Sequence, residues 1–401
     1  MPWSEVGVQE QRMQFVIRAS SGKENRSALC REFGISRPTG YHWCRRYRQL
    51  RSLTALQEHS RRPHHCPQQT ESWKEQRVVV LRQQTGWGAK KLRVLLREEE
   101  GIPLPVRTIH RILARHGLVS NAAHEPAPGR FERTEPNELW QMDTKGSYTL
   151  RDAECHALSI LDDHSRYAVG LYALPELCGE KAHACLVETF RCYGLPQALL
   201  MDRGALWWSA QNGWGLTWLS VRLIEQGIRL LYGRVRHPQT QGKVERFHRT
   251  LGEALRHRGV PEEFHQWQKV LAEFRWNYNE RRPHEALGMK RPVESYQRSP
   301  QSYQECVKEW EYPSGSEVRR LNPQGMLSEQ SRRWFVCEAL AGQRVRVERF
   351  DRKLLVSYRH MYIREIDLRR ERTQPLVVAR GTATVEPAPV ALRAPCAGST
   401  A

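Results

Sequence analysis

A chain of 401 residues that is 39% hydrophobic is long enough for roughly two to four domains and can bury a sizeable core. Its formal charge is +19, with +12 in residues 1–130, +2 in 131–300 and +5 in 301–401, which suits a polyanion held mainly by the front third. No run of about 18 apolar residues occurs, so no membrane span is expected, and Met1-Pro-Trp-Ser-Glu-Val6 lacks the charged and apolar regions of a signal peptide, so the cytoplasm is the expected compartment.

Residues 1–58 read as a helix-turn-helix domain. Ser27 is placed to cap one helix, which ends at Gly34, and Ser36 to cap a second, with Pro38 in its first turn. The second helix carries Arg37, Thr39, His42, Arg45 and Arg46, side chains able to reach phosphates and base edges. Gly40 stands where an apolar residue is usual. A linker is expected over 59–75. Within it His64-His65-Cys66 looks like a ligand cluster, but the second ligand pair of a structural zinc site is missing. The ten cysteines include no Cys-x-x-Cys pair, and Cys178, Cys185 and Cys192, seven residues apart, are expected to share one helix face as buried thiols rather than metal ligands. Residues 76–121 read as a second helix-turn-helix-like domain. Val106, Ile109, Ile112 and Leu113 form its stripe, and Arg107, Thr108, His110 and Arg111 lie off it as DNA-binding candidates. Pro126, Pro128 and Pro136 mark a second linker, 122–136.

Residues 137–300 alternate strands and helices. Strands are expected at Leu139–Lys145, His156–Leu161, Tyr167–Leu174, Ala198–Met201 and Arg229–Tyr232. Helices are expected at Cys178–Cys192, Leu216–Gln226, Val244–Arg256 and Glu262–Asn279. That order predicts an α/β domain: a mixed sheet with helices on both faces. Within 301–371, the period-two alternation of 333–367 predicts a small β-barrel or meander, and 372–401 a disordered tail.

Three carboxylates occupy telling places. Asp143 lies in a strand between apolar neighbours, where an acid is costly unless a cation or donor compensates it. Asp202 follows the apolar run Ala198-Leu-Leu-Met201, at the carboxyl end of a strand, where crevices form in α/β sheets. Glu245 opens a helix whose buried stripe is Val244, Phe247, Leu251 and Leu255. Singly, each could be an edge, loop or capping acid. Together they are hard oxygen donors of the kind that hold divalent cations. Asp162 and Asp163 compete for that role but read better as a turn network. Lys243, His248 and Arg249 are placed to contact DNA phosphates or to form a solvated basic face. Trp207 and Trp208 could stack on an unpaired base or pack beneath the loop.

Glu138-Leu-Trp-Gln-Met-Asp143, Ile160-Leu-Asp-Asp-His-Ser-Arg-Tyr167, Leu200-Met-Asp202, His237-Pro-Gln-Thr-Gln-Gly-Lys-Val-Glu-Arg-Phe-His-Arg-Thr-Leu251 and Asn277-Tyr-Asn-Glu-Arg-Arg-Pro-His-Glu-Ala-Leu287 resemble the integrase-type DDE transposases of bacterial insertion sequences, relatives of retroviral integrases. The resemblance implies an RNase H-like core, with Asp143, Asp202 and Glu245 as ligands of two Mg2+ or Mn2+ ions. It also implies cleavage at element ends, strand transfer into target double-stranded DNA, a homo-oligomer of at least two chains, and a place at the bacterial nucleoid. Two departures stand out. Arg203-Gly204 replaces the family's usual Asn-Gly, and a Trp-rich segment with Trp207, Trp208, Trp214 and Trp218 lengthens the gap to Glu245. The alternative reading is a sequence-specific DNA-binding protein with a non-catalytic core.

Overall fold

A computed structural model describes residues 7–57, 69–119, 132–151, 154–209, 215–233, 241–259 and 261–379. His64, His65 and Cys66, Trp214, His237 to Thr240, most of both expected linkers and everything past Ala379 lie outside the described residues. The chain forms two units, 1–70 and 71–401.

The first unit holds α1 (Val8–Ser20), α2 (Arg26–Glu32) and α3 (Arg37–Leu50) around Phe15, Val16, Leu29, Cys30, Cys44 and Leu56. The expected cap at Ser27 is corrected to Asn25. Its side chain accepts the Ser27 amide at 2.8 Å while its own backbone stays extended, so the helix starts one residue before Ser27. Gly34 turns at φ +65° and Ser36 caps α3 through the Thr39 amide. The unusual Gly40 has a steric cause: a β-carbon there would lie 2.6 Å from Cys30 Sγ and 2.9 Å from Phe15 Cζ. The three helices cross at that point, and a larger residue would cost about 1–3 kcal/mol in overpacking.

The second unit begins with α4 (Ser72–Thr85), α5 (Ala89–Glu99) and α6 (Val106–Arg115), packed through Val78, Leu81, Leu92, Leu96, Ile109 and Leu113. Next come β1 (Trp140–Thr149), β2 (Glu154–Asp162), β3 (Ala168–Leu174), α7 (Gly179–Tyr193) and β4 (Ala198–Met201). The two-residue strands β5 (Trp208–Ser209) and β6 (Gly215–Leu216) pair as a small ladder ahead of α8 (Trp218–Glu225) and β7 (Arg229–Tyr232). The helices α9 (Gly242–Arg258) and α10 (Phe264–Trp276) complete this part. The sheet order is β3-β2-β1-β4-β7, antiparallel among the first three and parallel through β4 and β7.

Strand alternation sorts this sheet's residues to two faces. Trp140, Met142, Leu158 and Ile160 join α7 and α8, whereas Ala157 and Leu161 join Phe247, Leu251 and Leu255 of α9 and Trp267 of α10. Asp143 has the parity of the α9 face.

The Asn277–Leu287 stretch is mostly structural. Tyr278 packs its ring 4.7 Å from that of Phe247, and the Asn279 side chain bonds both the amide and the carbonyl of Ala168. Arg281 pairs with Glu99 at 2.6 Å and Arg291 with Glu98 at 2.6 Å, fastening α5 to this segment.

The carboxyl-terminal region contains β8 (Glu317–Arg320), the hairpin β9 (Met326–Glu329) and β10 (Arg332–Phe335), then β11 (Arg344–Phe350), β12 (Lys353–Tyr358), β13 (Met361–Asp367) and β14 (Arg372–Ala379). The expected tail start at Arg372 is corrected, because β14 pairs with β13 from Arg372↔Asp367 onward. It lies at the edge of the sheet, so backbone pairing rather than apolar alternation holds it, and Pro375 is tolerated there. This sheet is not a detached domain. Leu216, Leu219 and Ile224 share one buried cluster with Val336, Leu340, Val356 and Ile363.

Candidate active site

The site sits where β1, the end of β4 and the start of α9 meet. Asp143 lies on β1 opposite Ser159 of β2, and its Oδ1 accepts the Thr144 amide at 2.8 Å. Burial pushes its carboxyl up to about 6; the Thr144 amide works the other way, and the charges of Asp202 and then Glu245 push it further up. The charges of two acids distant in sequence thus reach Asp143, a repulsion that a bound cation would relieve. The donors are all carboxylate oxygens, which fit a hard divalent ion. Among the described residues no three His, Cys, Asp or Glu side chains are drawn in to ion-holding distance.

Beneath Asp143, His248 is 7% exposed, and its Nε2 meets Ser159 Oγ at 2.9 Å. Its Nδ1 lies 3.7 Å from Asp143 Oδ2, too far for a hydrogen bond. Burial, helped by the Lys145 charge, pushes this imidazole down to about 4, so it is neutral at physiological pH. The expectation that His248 faces DNA is thus corrected: it completes the buried stripe of α9, and the strand-side alternation of Ser159 prepares its partner.

Lys243 is corrected in the same way. Its Nζ lies 2.5 Å from Asp163 Oδ2 and 3.0 Å from the Asp163 carbonyl oxygen. Burial pushes the ammonium down to about 8, against the pull of Asp163. Asp163 also accepts from the Arg133 amide and Gln141 Nε2, and the same Gln141 side chain accepts the Val244 amide at 3.3 Å. Asp162 accepts from Asn137 and Ser165 amides and the Ser165 hydroxyl. The pair makes the expected turn network and anchors the first turn of α9, which presents exposed Glu245 and Arg249. Sequence reading passed over Lys145. Its spacing from Asp143 places both on one strand face, and its Nζ reaches toward Gly252 of α9.

Asp202 leaves β4 at Met201, and its Oδ1 accepts the Gly204 amide at 3.0 Å. The Gly204 carbonyl in turn accepts the Trp207 and Trp208 amides, each at 3.0 Å. Arg203 lies over the Trp208 ring, 5.1 Å from its centroid, and Trp208 meets Tyr232 edge-on at 4.9 Å. The unusual arginine therefore packs on the Trp-rich segment. Trp207 and Trp208 are both buried, which decides their two readings in favour of packing. A cavity of about 330 Å³ opens beside Asp202, lined by Thr144, Leu177, Leu206 and Trp218. A larger cleft of about 560 Å³, at Lys90, Arg93, Arg97 and Lys290, contains none of the three acids.

On α3, Arg37, Thr39, His42 and Arg45 are exposed. Arg46 is half-buried, donates to the Gln57 carbonyl at 3.1 Å and lies over Trp43. On α6, Arg107, His110 and Arg111 are exposed and Thr108 is half-buried. Among the described residues no helix is long and apolar enough to cross a membrane.

Comparison with known proteins agrees with this layout. Two families described as Integrase core domain match residues 133–238 and 226–292. A Helix-turn-helix domain family matches 11–64 and a Homeodomain-like domain family 39–113. The uncharacterized 31.7 kDa protein of insertion element IS407 from Burkholderia multivorans is 24% identical over 231 residues, covering 54% of this chain and 78% of that protein. The Gag-Pol polyprotein of feline leukemia virus is 28% identical over 200 residues, covering 46% of this chain and 11% of that protein. Similar solved structures include the HTLV-2 integrase catalytic core domain in complex with magnesium, with a TM-score of 0.31 and 14% identity over 40% of this chain and 97% of that one. The simian T-cell lymphotropic virus intasome in complex with PP2A regulatory subunit B56 gamma gives a TM-score of 0.36 and 15% identity over 75% of this chain and 98% of that one. The chain thus matches integrase core families across residues 133–292 and helix-turn-helix and homeodomain-like families ahead of them.

Proposed function

We propose that this protein is a DDE transposase that cleaves DNA at the ends of its element and joins the freed 3′-hydroxyl to target DNA. The observation that carries the reading is the convergence of the β1, β4 and α9 ends, where the charges of Asp202 and Glu245 both reach the half-buried Asp143. These three carboxylates would hold two Mg2+ or Mn2+ ions, which supply an activated water and stabilise the leaving oxygen. The chain's own residues set the scene. His248 and Ser159 support the underside of Asp143, and the Lys243–Asp163 pair fixes the helix turn that presents Glu245. The exposed basic residues of α3 and α6 bind the terminal repeats, and pairing of two ends requires at least two copies of the chain.

In the first step water attacks a phosphorus atom and one phosphodiester is replaced by a 3′-hydroxyl and a 5′-phosphate. In the second, the 3′-oxygen attacks a target phosphodiester, loses its proton, and releases a target 3′-hydroxyl. One ester bond forms as one breaks, so no nucleotide triphosphate is consumed. The test is strand transfer on a duplex carrying the element's ends with Mg2+ or Mn2+. Asp143→Asn, Asp202→Asn and Glu245→Gln should each lose on the order of 1,000-fold or more in rate while still binding the duplex. Full strand transfer by any of them would refute its assignment, and no cleavage by the parent protein would leave a DNA-binding role alone.

A further inference from the structure

Arg364 of β13 is 0% exposed. Its Nε donates to the Val336 carbonyl at 2.8 Å and its guanidinium lies 5.2 Å from the Phe335 ring centroid. Burial pushes its pKa down to about 10, so it remains charged at neutral pH. A buried cation is costly, and a role in fixing one arrangement of the surrounding chain is a testable reason for keeping it. The surrounding chain here includes the Trp-rich segment. A β-carbon on Gly215 would sit 3.4 Å from Arg364 Nη2 and 3.9 Å from Cys337 Sγ, so the guanidinium lies against the bare backbone of β6. The Cys337 thiol donates to the Leu216 carbonyl at 3.5 Å, a second tie to the same strand.

From β6 the contacts run to the second acid without a gap. Gly215 and Leu216 pair with Ser209 and Trp208 of β5. The Trp207 and Trp208 amides bind the Gly204 carbonyl, Trp208 carries Arg203 on its face, and the Gly204 amide binds Asp202. We infer that Arg364 is a positioning residue for Asp202, through which the carboxyl-terminal sheet holds the loop that bears the second acid. The consequence for metal holding rests on the proposed function; the mechanical coupling does not.

Hydrogen exchange on the full-length, metal-free protein reads the coupling directly. Arg364→Met should speed exchange over 203–209 by about tenfold or more, with 155–162 in β2 unchanged. Arg364→Lys should restore much of the protection. Mn2+ affinity, measured without DNA, should weaken by about 10-fold in Arg364→Met, the scale seen when a supporting contact is lost. If Arg364→Met does not fold, Arg364→Gln decides, because its amide can still donate to the Val336 carbonyl while the guanidinium against Gly215 is gone. Parent-like exchange over 203–209 in the folded variants overturns the inference, as does equal acceleration of 155–162. An unchanged Mn2+ affinity in Arg364→Met overturns it too when Asp202→Asn lowers that affinity. If Asp202→Asn leaves Mn2+ binding unchanged, the metal role of Asp202 fails, and the exchange result still judges the coupling.

Discussion

The two sides of the acid cluster are built differently. Asp143 stands on a central strand, over a buried His248 and beside the Asp163–Lys243 network, all within the integrase core. Asp202 stands on a loop held by one amide, a small two-strand ladder and, behind it, the carboxyl-terminal sheet. The first side is rigid because many groups there have no alternative partner once buried. The second is held through a relay, so its geometry depends on a region remote in sequence. Substitutions on the first side should act on global stability, and those on the second on local order.

The largest effect is expected from Lys243→Met. It leaves the Asp163 carboxylate, which is wholly buried, without its cation, and should cost about 3–5 kcal/mol in denaturant unfolding. A loss below about 1 kcal/mol would show that the amide donors suffice for Asp163. His248→Ala follows, removing a buried ring and its Ser159 hydrogen bond, for about 2–3 kcal/mol by the same measurement. Asp143→Asn should act in the opposite direction. A carboxyl raised from 3.8 to about 6 in the fold loses stability as pH climbs through that window, and the cost then stays constant above it. The metal-free variant should therefore gain on the order of 1–3 kcal/mol over the parent at pH 7–8, with the gain vanishing below about pH 4. Thermal melts with and without Mg2+ check this, since the ion should stabilise the parent and not the variant. The smallest effect belongs to Arg203→Ala. Loss of its contact with Trp208 should cost about 0.5–1 kcal/mol, because the Gly204 amide still binds Asp202. A global loss comparable to that of Lys243→Met would erase the distinction between the two sides.

Much of the core was readable because its signals are local. Short apolar runs bounded by turns located β1 to β4 and β7 within a few residues, and the Val244, Phe247, Leu251 and Leu255 spacing located α9 and its inner face. The parity that puts Asp143 and Lys145 on one face was also present, though Lys145 went unused. What misled was chemistry with two uses. A lysine and a histidine at a helix start read equally well as phosphate contacts or as buried partners, and only the position of Asp163 and Ser159 across the fold separates them. Arg372–Ala379 was misread because an edge strand needs a neighbour's backbone more than an apolar pattern of its own.

By itself the sequence determined the element order, the basic front third and the three acids at element boundaries, because periodicity, charge and residue chemistry act over a few residues. The tertiary structure alone decided which charges are neutralised inside, that Arg203 rests on Trp208, and that a distant Arg364 stands behind Asp202. Those outcomes depend on burial and on which groups the fold brings together, such as Lys243 with Asp163 80 residues away and His248 with Ser159 89 away, and neither has a local signature.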